Sequence, residues 1–420
     1  MSDENYYDVT VWNAELASSD IGQVINEIIL DIKSRQTDVD IDSGGKPGAV
    51  IYIPPGDYHL YTQVVIDISY LKIMGSGHGF TSSSIRYNTP ESDLVSWHEI
   101  WPGGSRILVE SEGAAFYISR DGDPRLSSIE FENFCIDGLS FIGDAGENSY
   151  LNNKTGIYFA TPQDSCKVYH MGMVYLEHGV VTYGSDALSI HDNFIAECGN
   201  CIELRDNGEA GQGQASKITD NLIGAGYNGD SIYVKNFWGL LVTANNIFPR
   251  GASSVHFVNV ANSQITSNRF HAFYPGMVVL EEVDSTDVNQ QRCEKNLISA
   301  NHFLRNSESW TPMQPYDNGL EDSFGMIHIN ASSNAIIANH FTIEPDNVAP
   351  IGGDLNAIVI TGGMSNTVAT NTFVSTLPFY SVMINELSER NTVLDSGTEE
   401  QVQMDFTKNA FRATPAIAFQ

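Results

Sequence analysis

The chain has 420 residues, 42% of them hydrophobic, enough to bury a large core, and 52 acidic residues against 21 basic ones give a net charge of −31. Nucleic acid and anionic membrane are excluded as partners, because both are bound through basic patches that neutralise phosphate. The same charge disfavours a polyanionic glycan and favours a neutral substrate.

The N-terminus, MSDENYYDVTVWNAELASSD, has neither a basic n-region nor an apolar h-region, so no signal peptide is read and a cytoplasmic protein is expected, or a secreted one if a leader has been trimmed. No stretch approaches the ~18 apolar residues of a membrane span. Apolar residues at 21, 24, 25, 28, 29 and 32, behind Ser19 or Asp20 as N-cap, predict an amphipathic helix over about 19–36. A polar linker follows at 37–48, and then the alternating strand Ala49-Val-Ile-Tyr-Ile53, stopped by Pro54-Pro-Gly56.

From residue 190 a six-residue unit recurs: an aliphatic residue, two small or polar ones, Asn, any residue, then an apolar one. Its asparagines are Asn193, Asn221, Asn245, Asn268, Asn301, Asn339 and Asn371, at intervals of about 23 to 38 residues. Strand-like units at that period, with no helical repeat, predict a β-solenoid whose coils bury their apolar faces by stacking. Asn at each corner is expected to take left-handed backbone and to bond its counterpart one coil away. The predicted organisation is an N-terminal segment with a capping helix (1–48), one solenoid domain (49–394) and an irregular tail (395–420). Insertions around 281–295 and 304–324 are expected to project from one flank.

The five cysteines (135, 166, 198, 201 and 293) are odd in number and scattered, and Cys198-Gly-Asn-Cys201 has no second pair, so buried free thiols are expected. Asp192, Glu197 and Glu203 interrupt the apolar runs of one repeat, where a carboxylate costs solvation energy unless it is paired or bonded. His178, His191, His302 and His340 are expected at ladder corners in hydrogen-bonded structural roles. Trp310 and its aromatic neighbours can stack on a sugar or fasten a loop.

Tyr175-Leu-Glu-His178, the block from Asp192 to Leu204, Leu240 to Gly251, Phe273-Tyr-Pro-Gly-Met277 and Ile53-Pro-Pro-Gly-Asp57 together resemble the inulin fructotransferases of glycoside hydrolase family 91, which also contains difructose anhydride III hydrolases. The resemblance runs from about Tyr7 to Phe373. It implies an all-β, right-handed parallel β-helix assembled as a homotrimer, with active sites near subunit interfaces. It implies action on a fructan-derived oligosaccharide or a difructose anhydride without metal or organic cofactor. The implied catalytic pair is an Asp and a Glu eleven residues apart. Asp192/Glu203 and Asp186/Glu197 both have that spacing, and the motif favours the first, with Glu203 as proton donor and Asp192 as base or oxocarbenium stabiliser. Glu197, Asn200 and Arg250 are then expected to bind substrate. Hydrolysis of difructose anhydride III to inulobiose is the expected reaction. Release of a dianhydride from inulin is the alternative, and a non-catalytic carbohydrate-binding spike is the alternative of another class.

Overall fold

The computed structural model describes residues 5–36, 48–79, 104–122, 124–138, 151–206, 213–225, 229–248, 253–283, 292–306, 318–344 and 352–414. They form a parallel β-helix in two compact units, Met1–Gly226 and Tyr227–Gln420. Helix α1 spans Val9–Leu16 and helix α2 spans Ile21–Gln36, the latter where the apolar spacing places it. Ile21, Val24, Ile25, Ile28, Ile29 and Ile32 are all buried, against the first coil of strands, so α2 covers the apolar end that the coil exposes. Asp20 ties its start to that coil, accepting from the backbone N–H groups of Gly22, Tyr61 and Thr62. Strand Tyr6–Asp8 and helix α1 carry no periodic signal in the sequence, and pairing of that strand with Ala49–Ile53 supplies what local pattern does not.

Each coil has three walls. In the first unit one coil runs through Ser189–His191 on wall A, Phe194–Cys198 on wall B and Asn200–Arg205 on wall C. Successive coils stack in parallel register, as in Val168↔Ile190↔Ile218, and those side chains are fully buried. From the Asn268 repeat onward the last apolar position is a phenylalanine. Phe270, Phe303, Phe341 and Phe373 stack at centroid separations of 4.7, 4.9 and 5.0 Å.

The ladder asparagines lie at the corner between walls A and B. The left-handed residue there is not the Asn but the one before it: Asp192, Asp220, Ala244, Ser267, Ala300, Ala338 and Thr370 all have φ between 54° and 58°. This corrects the expected geometry. The Asn side chain instead bridges three coils, as Asn301 Nδ2 donates to Ile265 O and Asn339 Oδ1 while its Oδ1 accepts from Asn268 N and Nδ2. A second ladder, Asn296, Asn334, Asn366, Asn391 and Asn409, does the same at the corner between walls C and A. The tail is less irregular than expected: Val402–Gln403 and Ala410–Arg412 add a strand each to walls C and A. Strands of two or three residues are too short to show a period. All five cysteines are free and buried, and burial pushes the Cys166 and Cys293 thiols up to about 12.

Candidate active site

Wall C of the first unit presents a file of outward side chains, Val65, Tyr117, Tyr158, Val181 and Glu203, aligned by the parallel register. The two tyrosines stack at 5.6 Å, so this is an apolar, aromatic surface until its last member. There an acid stands where earlier coils carry Tyr or Val. Glu203 is 1% exposed. Its neighbours along the strand, Ile202 and Leu204, point into the core and hold the backbone in place.

Two basic side chains hold the carboxylate. His178, one coil earlier on wall C, contacts Oε1 through Nδ1, and Arg205 contacts Oε2 through Nη2. Arg205 also donates to Tyr183 Oη at 3.4 Å, and Tyr183 packs edge-on against Tyr158 at 5.8 Å. Burial alone would raise the Glu203 pKa, but the His178 hydrogen bond and the charges of His178 and Arg205 outweigh it, so the carboxyl is held below its ordinary value. Against an ionised carboxylate, Nδ1 of His178 carries the proton. Nε2 of His178 lies 3.8 Å from Glu177, whose carboxylate accepts from Asn153 N at 2.7 Å. The turn that brings Glu203 into place needs Gly199, since a Cβ there would sit 2.6 Å from Glu177 O.

Asp192 has a different setting. It occupies the left-handed position at the A/B corner, with its side chain 47% exposed. Its Oδ2 contacts His191 Nδ1 at 2.8 Å and stands 3.9 Å from His170 Nε2. The His191 ring stacks on Tyr169 at 5.1 Å, and the Tyr169 hydroxyl is held by Lys72, Glu130 and Glu132. Asp192 therefore does not interrupt a strand, as the apolar pattern suggested, and Asp is not required by the turn, because Ala, Ser and Thr serve at equivalent corners. The A/B corner lies across the coil from the outer face of wall C, and among the described residues none is bonded to both carboxylates.

The other eleven-residue pair is also separated. Asp186, at the corner between walls C and A, is bound by Arg125 at 2.8 Å and by Gln214 N at 3.1 Å. Glu197 is buried at a bulge in the pairing of Phe194–Cys198 with Leu222–Ala225, with φ 53°. Asn200 starts the Glu203 strand and pairs in register with His178, whereas Glu197 is on wall B. Arg250, Trp310 and the 284–291 part of the expected insertion lie outside the described residues.

His178 does not sit at a ladder corner as expected; it opens strand His178–Tyr183 and binds Glu203. Sequence reasoning missed Arg205 and Tyr183 altogether, although Glu203-Leu-Arg205 places both charged groups on one face of a strand by period two. His302 and His340 keep the structural roles expected, at 3.1 and 2.9 Å from Thr342 and Thr372 hydroxyls. Among the described residues no group of three or more His, Cys, Asp or Glu side chains is placed to hold a metal ion. What the arrangement offers is a desolvated, ionised carboxylate beside a protonated imidazole nitrogen, on an aromatic wall.

Comparison with known proteins agrees with this architecture. A family model described as the β-helix repeat of inulin fructotransferase matches residues 300–415. The chain is 39% identical to the DFA-I-forming inulin fructotransferase of Arthrobacter globiformis, over 97% of this chain and 99% of that one. It is 53% identical to DFA-IIIase from Arthrobacter chlorophenolicus A6 crystallised with GF2, with 98% of this chain and 99% of that chain covered and a TM-score of 0.88. The same enzyme crystallised with DFA-III aligns at 51% identity over 98% and 99% of the two chains, again with a TM-score of 0.88.

Proposed function

Because the chain belongs to the inulin fructotransferase family, whose members are enzymes acting on fructans, we propose that it hydrolyses difructose anhydride III to inulobiose. Glu203 carries this reading, as a carboxylate that is 1% exposed and still held ionised. Hydrolysis of a ketofuranoside needs one group to take a proton from the attacking water and another to protonate the departing oxygen. A buried acid kept below its ordinary pKa suits the first task. Glu203 is thus assigned as base, and the proton-donor role expected of it passes to Asp192. As water attacks the anomeric carbon, its proton goes to Glu203. The anomeric carbon–oxygen bond breaks on the opposite side, and the departing oxygen takes a proton from Asp192. His178 and Arg205 stabilise Glu203 before transfer, and the aromatic wall excludes bulk water.

One carboxylate stands at the A/B corner and the other on wall C, so one chain alone does not flank a glycosidic bond with both. We assign the reacting pair to two copies of the chain, Glu203 on one and Asp192 on the next, in a cyclic homotrimer. The higher identity to a DFA-IIIase than to a DFA-I-forming transferase supports hydrolysis over intramolecular transfer. Separate incubation of the protein with difructose anhydride III and with inulin, followed by chromatography, tests the assignment. Inulobiose from the dianhydride with inulin unchanged is expected; a dianhydride released from inulin would reverse it.

A further inference from the structure

The second unit has a cavity of about 780 Å³ that the chemistry above does not use. It is lined by acids Asp354, Glu386 and Asp405, by carboxamides Asn356, Asn385 and Gln403, and by one cation, Lys408. Met383, Ile384 and Met404 complete it with apolar surface. The lysine is already engaged: Nζ donates to Glu386 O at 2.9 Å and stands 3.8 Å from Asp405. Three carboxylates against one occupied lysine exclude an anionic ligand. Charged and carboxamide side chains stand among the apolar ones, which disfavours a wholly apolar ligand.

Two carboxamides are incompletely used. Asn356 is 3% exposed, and while its Nδ2 donates to Ser323 O at 3.1 Å, its Oδ1 has no hydrogen-bond partner. An unpaired buried acceptor is destabilising, and Asn356 belongs to the lining of this cavity. Asn385 is oriented by its Oδ1, which accepts from Ser388 Oγ at 2.7 Å and Gly362 N at 3.3 Å, and its Nδ2 has no acceptor among the described residues. A group that both donates and accepts at short spacing matches this lining, and a sugar hydroxyl is such a group. The methionines suit the C–H face of a furanose, and the volume suits two or three sugar units.

We propose that this cavity is a second, non-catalytic saccharide site that holds a neutral oligosaccharide. The neutral polyhydroxyl class follows from the lining; its identity as β-2,1-linked fructose rests on the function proposed above. A titration of full-length protein with a β-2,1-linked fructan trisaccharide tests it, using Glu203→Gln to stop turnover. Two sites per chain are expected. Adding Met404→Trp, which fills the cavity, is expected to leave one, and adding Gln403→Ala, at an exposed lining residue, is expected to weaken the second site severalfold without disturbing the fold. Unchanged stoichiometry and affinity in both variants would overturn the site. Binding of spermidine in place of sugar, sensitive to the same variants, would overturn the ligand class. If wild-type protein turns over neither inulin nor the dianhydride yet still loses a sugar site with Met404→Trp, the proposed function falls and the saccharide site stands.

Discussion

Glu203 and Asp192 are eleven residues apart and belong to the same coil, yet they show opposite physics. Glu203 is sealed into an aromatic wall and held ionised by His178 and Arg205. Asp192 is half in solvent at a corner, in left-handed backbone, beside two histidines. Sequence spacing in a β-helix measures distance along the coil, and eleven residues carry the chain from one corner, through wall B, to the far wall. The lesson is that a motif pair on this fold is not a spatial pair within one chain.

The largest expected effect comes from removing the charge at Glu203. Glu203→Gln keeps the shape, and kcat should fall at least about 10³-fold, roughly 4 kcal/mol of transition-state stabilisation. Activity within tenfold of wild type would remove Glu203 from the chemistry. Asp192→Asn should cost about 10²-fold in kcat with no change in melting temperature, because Asn tolerates the left-handed corner. Its counterpart one coil on, Asp220, has the same backbone, and its carboxylate accepts from the hydroxyl of its neighbour Thr219 at 2.6 Å. Asp220→Ala should leave kcat unchanged and stability within about 0.5 kcal/mol, and a loss matching that of Asp192→Asn would show that the corner, not the carboxylate, matters.

Between those two extremes lies the ladder that positions the corner. Asn193 is buried, accepts from Met171 N, and donates to Val168 O and Asn221 Oδ1. Asn193→Ala leaves these groups unpaired and should destabilise the protein by about 2–4 kcal/mol in chemical denaturation. The smallest effect is on pH dependence. A group with a depressed pKa keeps its charge above the ordinary carboxylate range and loses it only as pH falls through its folded value. Activity needing ionised Glu203 should therefore persist to pH below the ordinary glutamate pKa, and the stability its charge contributes is lost on the same descent. His178→Asn removes the main cause of the depression, so the acid limb of kcat/KM should move to higher pH; an unmoved limb would assign it to another group.

Much of this was legible in the sequence for a physical reason: the coil repeats, so each Asn and each core aliphatic is stated many times over. The capping helix was legible because its apolar residues keep a helical period over three turns. The second asparagine ladder was equally present, two residues before Ile298, Ile336, Val368 and Val393, but it escaped a search for one six-residue unit. His178 and Arg205 escaped because their partner is fixed by stacking of coils and by strand alternation, which no local motif records. The backbone strain at 192 was assigned to the wrong residue, since Asn is the usual left-handed residue and here the preceding position bears it.

The claim that the two carboxylates act from different copies is tested by subunit mixing. Glu203→Gln and Asp192→Asn proteins, each expected to keep about a hundredth or less of wild-type activity on difructose anhydride III, are unfolded together, refolded and assayed. In a cyclic trimer with random assembly, about a quarter of the interfaces unite an intact Glu203 with an intact Asp192, and about a quarter of wild-type activity should return. A refolded mixture as inactive as its parents, when refolded wild type is active, would contradict the shared site.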